Sequence, residues 1–313
     1  MPKKHKILVT GGAGNIGTNL CNELDSRGHD VISCDLYNTD RDNYIRCDVR
    51  NYRQIESVFK EYGPFGFVFH LAAEYGRWNG EAYYENLWQT NCVGTKHVLM
   101  LQKKMDFKLI FFSSCEVYGD YDGLMTENVM AENKIADTYQ MNDYAITKWA
   151  GELMVLNAAD MLGTESVRVR PLNCYGPHEH YTPYRGFIPK FIYHALHDRP
   201  YTVYKGHKRI IDYVEDSCRT FANIVENFVP GEVYNVGGRA EWEQDIKEYS
   251  DIVLSLTGRD DSLVEYEEAE AFTTKIKTVD FSKAIKDLDH NPVVDPEEGI
   301  KRTAEWMKEV YRL

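Results

Sequence analysis

Tyr144 and Lys148 stand four residues apart in the run Asn142-Asp143-Tyr144-Ala145-Ile146-Thr147-Lys148-Trp149-Ala150. On a helix this spacing puts both side chains on one face, about 6 Å apart. A phenol beside an ammonium is an acid/base pair, because the positive charge favours phenolate and draws the tyrosine pKa down from about 10. Any amphipathic helix carrying a Tyr and a Lys would show the same spacing. A second candidate is the loop Thr10-Gly11-Gly12-Ala13-Gly14-Asn15-Ile16-Gly17. Gly11, Gly14 and Gly17 let the backbone turn sharply and approach a pyrophosphate. A helix opening at Asn15 and Ile16 points free N–H groups at the anion. Asp35 lies 18 residues past Gly17, where a carboxylate can bind ribose hydroxyls and repel a 2′-phosphate. NAD is therefore favoured over NADP, with Arg41 leaving NADP as the alternative. Asp48 and Val49 either contact the adenine or belong to a solvated loop. His178-Glu179-His180 sits in a proline-flanked loop with no further clear ligand, so no metal is expected.

These residues need a frame. Ile7-Leu8-Val9 opens directly into the glycine loop, and a helical pattern follows to about Arg27, stopped by Gly28. Further strands are expected at Val31–Asp35, Tyr44–Cys47, Phe67–Ala73, Lys108–Ser113, Glu165–Arg170 and Val233–Val236. Helices are expected over about 52–62, 85–104, 143–162, 217–228, 243–257 and 297–311. Strands alternating with helices mean an α/β fold with a parallel sheet covered on both faces. After Pro171 the chain becomes rich in Pro and Tyr, as loops over a pocket are. We expect a nucleotide-binding domain over residues 1–172. Residues 173–313 should form a smaller, interleaved substrate-binding lobe.

The bulk properties narrow the function. Apolar residues make up 43% of 313, enough for a packed core, and the net charge of -13 argues against a nucleic-acid partner. The seven cysteines are scattered with no Cys-x-x-Cys pair, which reads as reduced thiols in a cytoplasmic protein. The basic start Met1-Pro2-Lys3-Lys4-His5-Lys6 meets glycines too soon for a signal peptide. No apolar run approaches the roughly 20 residues of a membrane helix.

The long first glycine gap together with Tyr-x-x-x-Lys resembles the short-chain dehydrogenase/reductase superfamily. Further motifs are similar to its extended branch, the NAD-dependent nucleotide-sugar epimerases, dehydratases and decarboxylases. They are His70-Leu71-Ala72-Ala73, Asn91-Cys92-Val93-Gly94-Thr95, Ser113-Ser114-Cys115-Glu116-Val117-Tyr118-Gly119, Arg170-Pro171-Leu172-Asn173-Cys174-Tyr175-Gly176-Pro177, Arg209–Asp216 and Tyr234-Asn235-Val236-Gly237. The resemblance implies a Rossmann doubly wound sheet with NAD lined by Leu71, Ala72, Ala73 and Pro171 as well as the glycine loop. It implies that Tyr144 takes the proton of a sugar 4-hydroxyl and that Lys148 holds the nicotinamide ribose. Ser114 would hydrogen-bond the same oxygen, and the resulting 4-ketone would acidify C5.

The resemblance makes Glu116 the base at C5 of a 4,6-dehydratase. Cys115 departs from the family pattern, being either a weak leaving-group acid or an inert buried thiol. A 4-epimerase, a uronic acid decarboxylase and a net C4 dehydrogenase are the alternatives, with an NAD-sensing regulator as the non-enzyme one. Arg209 is expected to clamp the substrate diphosphate, Asn173 to hold diphosphate or sugar, and Tyr204 to stack on the base. Arg185 belongs to a loop expected to cover the substrate. Arg77 is either a sugar contact or part of a surface loop. By family analogy, the helices at 85–104 and 143–162 pair with their copies in a homodimer.

Overall fold

The apolar run at the start of the chain is wholly buried, with Ile7, Leu8 and Val9 at 0% exposure. A strand this apolar must be covered on both sides, and it becomes the centre of the sheet. The computed structural model describes residues 3–133 and 137–313, so Met1 and Pro2 of the basic start lie outside it.

The first half of the chain runs β1 (Lys6–Thr10), α1 (Asn15–Ser26), β2 (Asp30–Asp35), β3 (Tyr44–Arg46), α2 (Tyr52–Tyr62) and β4 (Phe67–His70). It continues through α3 (Arg77–Ala82), α4 (Tyr84–Trp88), α5 (Thr95–Met105), β5 (Lys108–Phe112), α6 (Val129–Glu132), α7 (Asp143–Leu162) and β6 (Ser166–Pro171). The later chain supplies β7 (Cys174–Tyr175), α8 (Phe187–Leu196), β8 (Tyr201–Tyr204), β9 (Lys208–Arg209), β10 (Asp212–Tyr213), α9 (Val214–Asn223) and β11 (Val233–Val236). It ends with β12 (Gln244–Asp245), α10 (Ile246–Thr257), β13 (Val264–Glu267), α11 (Ser282–Leu288) and α12 (Pro296–Tyr311).

Seven strands form one sheet in the order β11-β6-β5-β4-β1-β2-β3, and every pairing in it is parallel. This is the Rossmann doubly wound arrangement. Its order reverses between β1 and β4, which opens a crevice at the carboxyl ends of those strands. Separate apolar clusters cover the two sheet faces, one including Leu20, Leu24, Phe221 and Leu288, the other Ile55, Phe59, Leu101 and Val155. A third cluster, including Phe191, Tyr249, Val253, Ile300 and Met307, joins α8, α10 and α12 away from the sheet. β11 comes from beyond residue 173 and still takes the edge beside β6.

The helix expected over 85–104 is broken. α3 and α4 precede a π-helical stretch, Gln89–Gly94, which runs into α5. Such wide turns gather at functional sites. Here the stretch aims Asn91 at the catalytic helix, where its Nδ2 donates to Thr147 Oγ1 at 3.0 Å. The strand expected to reach Ala73 stops at His70, because its last residues turn into the crevice. Among the described residues no helix is long and apolar enough to cross a membrane.

Candidate active site

α7 carries the acid/base pair, and its start is closely specified. Asn142 caps it, with Oδ1 accepting from the Ala145 N–H at 2.8 Å, while Gly163 closes it in the left-handed conformation. Eight residues beyond Tyr144, Glu152 is fully buried and bound by Arg170 through two contacts, at 2.8 and 2.7 Å. Glu152 also accepts from Ser113 Oγ at 2.6 Å. This network locks α7 to β5 and β6, and so fixes the distance between Tyr144 and the strand-end serines.

Tyr144 and Lys148 do share a face, with Lys148 Nζ 5.8 Å from the centre of the Tyr144 ring. Both are buried, at 6% and 5% exposure. Nζ donates to the Phe112 carbonyl at 2.8 Å. Burial lowers the Lys148 pKa to about 8. The phenol is shifted against expectation. Burial pushes Tyr144 up, the neighbouring Tyr75 adds to this, and Ser114 pulls the other way. In the protein alone, desolvation outweighs the ammonium.

Ser114 caps the single turn Cys115–Tyr118, its Oγ accepting from the Glu116 N–H at 3.1 Å. The next two residues part company. Cys115 is 1% exposed, its thiol lies 3.1 Å from the Arg170 carbonyl, and burial pushes its pKa up. Of the two expectations for Cys115, this setting favours the inert buried thiol over the leaving-group acid. Glu116 instead faces Lys277 at 2.9 Å. Burial would raise its pKa, but Lys277, Arg77 and Arg209 outweigh this and hold it at about 2. Lys277 is 2% exposed. No motif in Lys275-Ile276-Lys277 marks it, so sequence reasoning missed it.

The glycine loop has the shape of a dinucleotide cradle. Gly11 lies at φ +75°, and a Cβ there would come within 2.7 Å of the Ala72 nitrogen. A Cβ on Gly17 would meet the Gly11 carbonyl oxygen at 2.0 Å. The loop, Leu71 and Ala72 thus form one surface at the crevice, with Ala73 following; Pro171 ends β6, two places from β4 in the sheet. Asp35 ends β2, Oδ2 accepting from the Ala13 N–H at 3.0 Å and Oδ1 from the Leu36 N–H at 2.6 Å. This ties the acid to the loop it would serve. Asn15 and Ile16 open α1 beside it. Asn15 reaches the buried Glu179 at 3.3 Å, while its Oδ1 is buried without a partner. Burial raises the Glu179 pKa to about 7.

Other expected residues are committed to different partners. Arg50 holds the Asp48 carboxylate at 2.8–3.0 Å and keeps its pKa low, and the neighbouring Val49 is buried. Asn173 has φ 44°, and its Nδ2 donates to the Ile210 carbonyl at 2.8 Å. Arg209 is buried and donates to the carbonyls of Lys208, Thr274 and Lys275. Burial and Arg77 lower its pKa to about 10. Arg77 pairs with Glu270 at 2.8 Å. Arg185 lies over the Tyr75 ring at 5.2 Å, and Tyr204 lies beside His207 at 5.7 Å. His178 and His180 pack on Trp306. Among the described residues no three metal-ligating side chains converge.

Comparison with known proteins agrees with this geometry. A model of the NAD dependent epimerase/dehydratase family matches residues 7–237. The chain is 30% identical to UDP-N-acetyl-alpha-D-glucosaminuronate decarboxylase of Bacillus cytotoxicus, over 98% of this chain and 99% of that protein. It is 27% identical to dTDP-glucose 4,6-dehydratase of Salmonella typhimurium, over 96% and 92%. The crystal structure of UDP-glucose 4-epimerase from Thermotoga maritima with UDP-glucose superimposes with a TM-score of 0.86 at 25% identity, covering 98% of this chain and 99% of that one. The chain therefore belongs to the NAD-dependent epimerase/dehydratase family, and it is an enzyme whose cofactor is NAD.

Proposed function

We propose that the protein is a nucleotide-sugar 4,6-dehydratase acting through a 4-keto intermediate. Relatives named for UDP- and dTDP-sugars support a nucleotide-diphosphate sugar as substrate. Gly11, Gly14, Asn15, Ile16, Gly17, Asp35, Val49, Leu71, Ala72, Ala73 and Pro171 would hold NAD. NAD, when bound, supplies the acceptor for the hydride that leaves C4 and later gives it back. Tyr144 takes the 4-hydroxyl proton, with Ser114 on the same oxygen. Lys148, on the same face as the phenol, favours its ionised form through its charge.

The observation that carries dehydration is the Glu116–Lys277 pair, a carboxylate and an ammonium 2.9 Å apart beside Tyr144 and Ser114. Glu116 removes the C5 proton and Lys277 gives one to the 6-oxygen, which departs as water. Burial lowers the Lys277 pKa, which makes it a better proton donor. Ion pairing weakens Glu116 as a base, and the ketone offsets this by acidifying C5. Arg209 takes the diphosphate, exchanging neutral carbonyls for phosphate oxygens. Arg185, Asn173 and Tyr204 line the rest of the substrate.

A second reading, decarboxylation of a nucleotide-linked uronic acid, is favoured by the relative that is 30% identical over its whole length. Incubating the purified protein with glucose and glucuronate derivatives of UDP, dTDP, GDP and CDP, then weighing the products, separates these readings. Loss of one water supports dehydration, whereas loss of carbon dioxide replaces it with decarboxylation. An isomer of unchanged mass points to epimerisation. A protein that binds no NAD and alters none of these sugars would sink the proposal.

A further inference from the structure

The mechanism above leaves one half-buried ion pair unused. Arg77 Nη2 meets Glu270 Oε1 at 2.8 Å, with the two side chains 22% and 13% exposed. Arg77 opens α3, whose Gly80 packs against the backbone of Tyr144, and its charge is among those that hold down Glu116. Glu116 and Glu270 in turn favour its charge against the pull of burial.

Glu270 is placed by structure on both sides. Its N–H meets His207 Nε2 at 3.4 Å. Two residues on, the Phe272 ring stands edge-on to Trp78 at 5.0 Å. The Phe272 carbonyl accepts from Asn142 Nδ2 at 3.1 Å, so the cap of the catalytic helix also holds the strap that carries Glu270.

The charges can then be assigned. Glu116 takes Lys277 and Glu270 takes Arg77. Arg209 donates to neutral carbonyls and a threonine hydroxyl. Among the described residues no carboxylate pairs with Arg209 or Arg185. Arg209, without a direct ion pair, is the guanidinium left to meet a diphosphate. Of the three cations that act on Glu116, Lys277 and Arg77 are each already paired and Arg209 is given to the diphosphate, so an added carboxylate beside them would face Glu116 and Glu270 in a poorly solvated pocket.

We propose that Glu270 is a specificity-determining residue. Seated on Arg77, it reserves the sugar end of the site for a neutral 6-hydroxymethyl group and refuses a 6-carboxylate. This rests on the nucleotide-sugar reading above and deepens it by naming the class of hexose.

The test is binding to the NAD-loaded protein. Titration calorimetry with UDP, dTDP, GDP and CDP first identifies the base, and then the glucose and glucuronate derivatives of that base are compared. The wild type should bind the neutral sugar at least about tenfold more tightly. Glu270→Gln frees the Arg77 charge, so it should tighten the glucuronate derivative at least about tenfold and change the glucose derivative less than about threefold. Glu270→Asp, which keeps the charge, should retain the wild-type preference. Equal or reversed preference in the wild type, or an unchanged ratio in Glu270→Gln, overturns the inference. Arg209→Ala separates the two levels. If it weakens the free nucleoside diphosphate, the clamp stands and a failed ratio test counts against Glu270 alone. If no nucleoside diphosphate binds, or Arg209→Ala changes nothing, the nucleotide-sugar reading itself fails.

Discussion

The half of the site proposed to oxidise the substrate and the half proposed to decide the product are built in different ways. Tyr144 and Lys148 lie on one turn of one helix, and the glycine loop and Asp35 belong to consecutive elements of one crossover. Regular spacing and backbone hydrogen bonding hold them. At the other end, Arg77, Glu116, Arg209, Glu270 and Lys277 come from four segments with no shared periodicity, held by two ion pairs, Arg77–Glu270 and Lys277–Glu116, and by the carbonyls around Arg209. The first region is stiff and local, so related enzymes can share it. The second can change its reaction by exchanging single charges, because each charge is balanced by only one or two others.

The largest effect should come from breaking the first region. Tyr144→Phe should lower turnover by about 10²–10⁴, measured as loss of substrate in a saturating assay with NAD. A variant retaining more than about a tenth of wild-type turnover would remove Tyr144 from proton transfer.

Breaking the second region should stop the reaction later. Glu116→Gln should cut dehydration by about 10² while 4-keto sugar still forms, detected by borodeuteride trapping and mass spectrometry. Normal dehydration in this variant would take the C5 proton away from Glu116. Lys277→Met should give the same arrest. Loss of ketone formation as well would mean that Lys277 supports the oxidation step.

pH should sharpen the contrast in the NAD-free protein. The folded Lys148 pKa is about 8 against 10.5 for the free side chain, so between these values the unfolded chain binds more protons and stability rises with pH. The folded Glu179 pKa is about 7 against 4.5, so the folded protein binds more protons there and stability falls as pH rises through that window. Denaturant unfolding of Lys148→Met and Glu179→Gln should each lose its own slope and leave the other intact. A wild type flat in both windows would contradict the burial of these groups.

The smallest effect on chemistry belongs to the outer faces of α5 and α7. Met100 and Leu153 are 43% and 41% exposed there, and Trp88 and Leu162 widen the apolar surface. If these helices pair with a second copy, Met100→Asp with Leu153→Asp should give monomers by light scattering, with turnover reduced less than about tenfold. A wild type that is already monomeric at micromolar concentration would discard the dimer.

How much of this was legible beforehand follows the same division. Short-range patterns record structure made by neighbours in the chain. The glycine loop, Asp35 at a strand end, the capped helix with Tyr144 and Lys148, and the alternation that makes a parallel sheet are all of that kind. The broken helix before α5 was not legible, because a π turn is stabilised by what it packs against, here Thr147 through Asn91. The direction of the Tyr144 shift was misjudged because charge spacing can be read from a helix and desolvation cannot.

Cys115 and Glu116 show the limit most clearly. Both stand in one short turn; the resemblance made Glu116 a base and left Cys115 either an acid or an inert thiol. The fold turns the thiol towards the Arg170 carbonyl and the carboxylate towards Lys277, 161 positions away in the chain. From sequence alone came the glycine loop between strand and helix, the shared face of Tyr144 and Lys148 and the enzyme family, because local geometry suffices to build them. Only the tertiary structure paired Glu116 with Lys277 and Arg77 with Glu270. A buried charge has no preference for sequence distance; it takes the counter-ion that folding delivers.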